Sequence, residues 1–110
     1  MRVRFRRQAL VDADEVFAYL GDSSRGAAEG FAIGLESAVR RLGTYPRIGH
    51  PVPTAPRGLR GMRSWPVPGF PSVLLLYLPR PHGVSILRVL HGARDLAVEL
   101  GASSIPAEEE

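Results

Sequence analysis

SVLLLYL, residues 72–78, is apolar at odd and even positions alike. A strand made from it buries both faces, so it belongs in the middle of a sheet and has to be covered twice. Turn-forming residues bracket it: Val67-Pro68-Gly69 before and Pro79 to Gly83 after. The surrounding sequence supplies two more strands, about Leu59 to Pro66 and Val84 to Leu90, on either side of Phe70 to Leu78. Joined by such short turns, the three form an antiparallel meander.

Working outward, Met1 to Arg7 alternates Val3 and Phe5 with arginines, the period-two pattern of a half-buried strand. From Ala9 to Leu20 the period changes to that of a helix, with Ala9, Ala13, Val16, Phe17 and Leu20 on one face and Asp12, Asp14 and Glu15 elsewhere. Gly21 to Ser24 reads as a turn carrying candidate N-caps. A second helix follows from about Arg25 to Leu42, with Ala28, Phe31, Ala32, Leu35, Val39 and Leu42 as its stripe and a Glu36–Arg40 pair one turn apart. So short a connection predicts an antiparallel helical hairpin. Gly26, Gly30 and Gly34 ridge the second helix at about 1 kcal/mol each relative to alanine, and close approach of the first helix is the expected compensation. The hairpin covers one face of SVLLLYL; the other is expected to meet the C-terminal segment or another protein.

Pro46, Pro51, Pro53 and Pro56 make residues 45–58 a stiff connecting loop in which His50 is exposed. Trp65 is expected to serve packing. The last strand ends in His91-Gly92-Ala93-Arg94-Asp95, read as a turn and cap that closes the sheet and anchors a short C-terminal segment, with Asp95 as a possible N-cap. Residues 101–110 are expected to form a flexible acidic tail after a single domain spanning 1–100.

A chain of 110 residues without cysteine has no disulfide, thiol nucleophile or cysteine-bound zinc, and its three separated histidines form no metal motif. Neither metal nor cofactor is expected. No apolar run approaches a membrane span, and MRVRFRRQ lacks the apolar core of a secretory signal, so a cytoplasmic location is expected. All fourteen basic residues are arginine. The net charge is +3, and because Glu108, Glu109 and Glu110 contribute −3 of it, the remaining chain carries +6. An acidic partner is implied, either nucleic acid or an acidic protein segment.

The elements together describe an α+β domain: an N-terminal strand, an antiparallel two-helix hairpin, then a three-stranded antiparallel meander forming one sheet, and a short C-terminal segment. From Met1 to about Leu100 the order and spacing resemble toxins of the RelE/ParE superfamily of type II toxin-antitoxin modules, most closely the ParE branch. QALVDADEVFAYL, LGTYPRIGHP, GLRGMRSWPV with Leu59 and Arg60, then Phe70, Tyr77 and SILRVLHGARDL carry that resemblance. It implies a toxin that arrests growth by inhibiting DNA gyrase, with no catalytic residues, neutralised by a cognate ParD-like antitoxin in a hetero-oligomer. An acidic antitoxin segment folding over the second face of SVLLLYL would pair with Arg60, Arg63 and Arg88.

The RelE branch implies the alternative, a ribosome-dependent endoribonuclease acting on messenger RNA. Attack by a 2′-hydroxyl needs proton transfer and cations over the phosphate. Arg60 and Arg88 would clamp the phosphate, His91 would move the proton, and Arg63 and Arg94 are further candidates. Against it stand the absence of lysine and of a C-terminal tyrosine, and strand parity: Arg88 and His91 are three apart and point to opposite faces of a regular strand. A DNA-binding helix-turn-helix is disfavoured by the glycine-ridged, apolar second helix.

Overall fold

The computed structural model describes residues 2–53 and 55–92. Strand β1 (Arg2–Phe5) leads through Arg6, whose extended backbone starts helix α1 (Arg7–Ser23). Helix α2 (Arg25–Thr44) follows after one residue. Then come β2 (His50–Pro51), a single 3-10 turn (Arg57–Leu59), β3 (Arg63–Val67), β4 (Phe70–Arg80) and β5 (Gly83–His91). They form one sheet in the order β1-β5-β4-β3-β2, antiparallel except for β1, which pairs parallel with β5. SVLLLYL is the central strand, as its two apolar faces require.

The expected turn at Gly21 to Ser24 shrinks to Ser24 alone. Its extended backbone breaks the helix, its N–H donates to Leu20 O at 2.9 Å, and its Oγ accepts from Ala27 N at 3.1 Å, so it closes α1 and opens α2. The Glu36–Arg40 pair forms at 3.3 Å on the exposed side of α2.

The buried stripes differ from expectation in detail. On α1 they are Ala9, Asp12 and Val16, while Phe17 is exposed. On α2 they include Ala28, Phe31, Gly34, Ala38 and Leu42, while Ala32 faces solvent. Gly30 and Gly34 of the ridge meet the β3–β4 connection rather than α1. A Cβ on Gly34 would sit 2.5 Å from Pro68 O, and one on Gly30 would touch the Phe70 ring at 3.5 Å.

The proline-rich loop is more structured than its composition suggests. His50 and Pro51 pair with Ser64 and Arg63 as a two-residue edge strand, a position where proline is tolerated, and His50 is exposed. Leu59 precedes β3, which starts at Arg63. Together with Met62 it covers the second face of the sheet, against Leu76, Leu78, Leu87 and Leu90. The chain thereby provides its own cover for that side. The helix-side core gathers Phe31, Val73, Leu75, Tyr77, Ile86 and Val89, with half-buried Trp65 packed against it.

Gly49 locks the loop to the sheet. Its N–H donates to Tyr77 Oη at 2.8 Å, and its carbonyl accepts from Arg63 Nη1 at 2.7 Å. A Cβ there would fall 2.6 Å from Tyr77 Oη and 2.7 Å from Ser64 O, so the position admits only glycine without rearrangement. Burial pushes the Tyr77 hydroxyl above its ordinary pKa of 10.0, opposed by the Gly49 hydrogen bond and the Arg63 charge.

Candidate functional site

The site forms where α1 lies over β5, and a bulge makes it possible. Tyr77 pairs with Ile86 but Leu76 pairs with Arg88, so Leu87 is an extra residue on β5. Before the bulge Ile86 faces the helices, and after it Val89 does so again. Leu87 goes to the opposite core, while Arg88 and His91 both line a cavity of about 300 Å³ against α1. The bulge returns His91 to the face of Ile86, but the register from Arg88 to His91 is regular and their relative parity is unchanged; Arg88 joins the same cavity through its bonds to Asp12.

Asp12 is the centre of this arrangement. Its Oδ2 accepts from Arg88 Nε at 2.6 Å and from Val89 N at 3.0 Å; its Oδ1 accepts from Arg88 Nη2 at 3.1 Å and Gln8 Nε2 at 3.0 Å. The geometry follows from the sheet. β1 pairs with β5 only as far as Phe5 and Ile86 before the chain turns into α1, so among the described residues no strand receives the Val89 N–H on the β5 edge beyond. Asp12, four residues after Gln8 on the face of α1 turned to the sheet, takes the place of that missing strand. With Asp12 5% and Arg88 8% exposed, the forked contact is a buried ion pair whose carboxylate has four donors for its roughly four lone-pair sites.

His91 lies half-buried at the cavity's edge, its ring 5.5 Å from that of Tyr19 and tilted 53° to it. Glu15 completes the polar lining. Gly92 follows with a φ of 86°, the left-handed backbone that lets the chain leave the strand sharply. Chemically, the cavity joins an aromatic-histidine wall to a carboxylate, but its arginine is already engaged.

The other predicted residues lie elsewhere. Arg60 is exposed, and Arg63 is tied to the carbonyls of Arg47 and Gly49. Both line a second cavity of about 460 Å³ with Arg57, on a floor that includes Pro51, Val52 and Met62. Arg88 thus shares no cavity with Arg60 and Arg63, and His91 none with Arg60. Arg94, Asp95, the remaining C-terminal segment and the acidic tail lie outside the described residues. Among the described residues no cluster of three or more potential metal ligands occurs, and no helix is long and apolar enough to cross a membrane.

Sequence reasoning missed Asp12, Glu15 and Tyr19. A signal for Asp12 existed: it stands three residues after Ala9 and four before Val16, on the helical stripe that both occupy. A carboxylate on an apolar stripe implies a buried cation or N–H opposite it.

A family model described as ParE toxin of type II toxin-antitoxin system, parDE, matches residues 3–96. No curated protein matches the sequence. Among solved structures, a chain of the "Chromosomal ParDE TA system from P. aeruginosa" superposes with a TM-score of 0.63 at 17% identity, covering 84% of this chain and 96% of that one. At that identity the likeness concerns the fold, which it shares: strand, two helices, and strands completing one mixed sheet. With the family model spanning most of its length, the chain belongs to the ParE toxins of type II toxin-antitoxin systems.

Proposed function

We propose that this ParE toxin arrests growth by inhibiting DNA gyrase and is neutralised by a cognate ParD-like antitoxin. The observation that carries this reading over RNA cleavage is the Asp12–Arg88 pair. A phosphate clamp needs an arginine with its fork open, and here Nε and Nη2 of Arg88 already hold a buried carboxylate. Asp12 has no lone pair left for a general base, and Arg60 stands in a different cavity.

One observation favours the alternative, the ribosome-dependent endoribonuclease. The bulge sets His91 beside Tyr19 and Glu15, three groups able to carry a proton. Supercoiling by gyrase and messenger cleavage on translating ribosomes, measured side by side, separate the two. Lost supercoiling with accumulated linear DNA and intact message supports gyrase inhibition. Cut message with normal supercoiling sinks it.

For the antitoxin, an acidic segment is proposed at the cavity rimmed by Arg57, Arg60 and Arg63. Its proline floor offers apolar surface and its rim offers charge. Arg88 drops out of that contact because it is turned into α1. Reversing charge with Arg57→Glu and Arg60→Glu should weaken capture of the adjacent gene's antitoxin at least tenfold; undiminished capture would place the antitoxin elsewhere.

A further inference from the structure

Three cavities adjoin along one side of the molecule. The first, at the end of α2, shares Arg41, Thr44 and Tyr45 with the second, and the second shares Arg80 and Pro81 with the third, at the β1 edge. Along this course lie Arg40, Arg41, Arg47, Arg80, Arg2 and Arg4, six of the chain's fourteen arginines, and among the described residues no carboxylate lines any of the three. Arg40 also pairs with Glu36 at 3.3 Å on the exposed α2 surface, and Arg80 Nε donates to Ser85 Oγ at 3.3 Å. We propose that this track binds the sugar-phosphate backbone of duplex DNA without reading its sequence.

The shape and chemistry of the track select that ligand. A duplex presents one negative charge about every 1.7 Å of its axis, so an extended row of cations suits it better than it suits a single carboxylate. Arginine's planar fork matches phosphate oxygens. Tyr45, 58% exposed, adds a hydroxyl of the kind that contacts phosphates. Pro46 stiffens the loop that carries Arg47, and Arg80 is held at the end of β4 with Pro81 after it, which limits the entropy lost on binding. The inference rests on the gyrase reading for its setting, since an inhibitor seated on gyrase lies close to the enzyme's own duplex.

Fluorescence anisotropy of a labelled duplex of arbitrary sequence, titrated between about 50 and 200 mM salt, tests it. Wild-type protein should bind with a Kd on the order of 10⁻⁴ to 10⁻⁶ M near physiological salt. The doubly reversed variant Arg41→Glu/Arg47→Glu should bind at least tenfold more weakly, with a log–log salt slope shallower by about 1.8. Both positions are exposed, and an unchanged circular dichroism melt confirms that the variant folds. Equal binding by the two proteins, or wild-type capture of a glutamate-rich peptide but not the duplex, overturns the proposal. Supercoiling assays on the same wild-type protein keep the two ideas apart. Duplex binding with undisturbed supercoiling supports the track and overturns the gyrase reading, and blocked supercoiling without duplex binding does the reverse.

Discussion

A single methyl group distinguishes Gly34 from Gly26 on α2. At Gly34 it would strike the Pro68 carbonyl at 2.5 Å and Val67 at 3.0 Å, so Gly34→Ala should destabilise the fold by about 1–3 kcal/mol. At Gly26 it would meet only Ser24 Oγ at 3.7 Å, and Gly26→Ala should stabilise by about 0.5–1 kcal/mol. Thermal melts of the two variants check both signs. Tyr77 gives a pH test. Burial makes the folded state hold the hydroxyl proton to higher pH than the unfolded chain does. The contribution is complete below the unfolded pKa of 10.0 and is lost as pH rises through the folded value. Melting temperature should therefore fall on the alkaline side, and Tyr77→Phe should flatten that fall while lowering the neutral plateau, because the Gly49 N–H loses its acceptor. An alkaline decline just as steep in Tyr77→Phe would refute this account.

Among the elements, α1 and β5 depend on each other through one carboxylate. Removing either charge alone strands the other in a dry interior, at a cost of about 3–5 kcal/mol. Arg88→Met should unfold the chain at markedly lower denaturant, whereas Asp12→Leu/Arg88→Met should recover part of that loss. Recovery should stay incomplete because Val89 N–H is then unsatisfied. A double variant no better than the single one would show that the pair's coupling is unimportant. The same dependence warns that lost activity in an Arg88 variant reports folding before it reports chemistry. The elements themselves were legible in the sequence because periodicity and turn residues are local signals. The cover supplied by Leu59 and Met62 was not, since two apolar residues in a proline-rich loop show no period. The bulge at Leu87 was equally hidden: all the residues from Val84 to Leu90 except Ser85 and Arg88 are aliphatic, so a change of face leaves no mark in the pattern. Without it, His91 falls on the face opposite Ile86 and away from the helices, and the candidate site could not be assembled from spacing alone.

For the molecule as a whole, the family and fold set the question of target, and His91 offers a clean probe. It contacts Tyr19 at a cavity edge and is not a core residue, so His91→Ala should leave the fold intact. Under gyrase inhibition the variant should still block supercoiling within a few-fold of wild type; a loss of messenger cleavage in an otherwise folded variant would instead make His91 catalytic. The arrangement of the sheet also bears on how such a toxin comes into being. Its first strand lies against its last, and Asp12 waits for an amide 77 positions later in the chain. At about 5–20 residues per second, a ribosome needs roughly 4–15 s to make the intervening polypeptide. Throughout that interval the helical hairpin has no completed sheet to rest on. A chain that stops short of β5 therefore lacks both the strand that β1 pairs with and the amide that Asp12 holds.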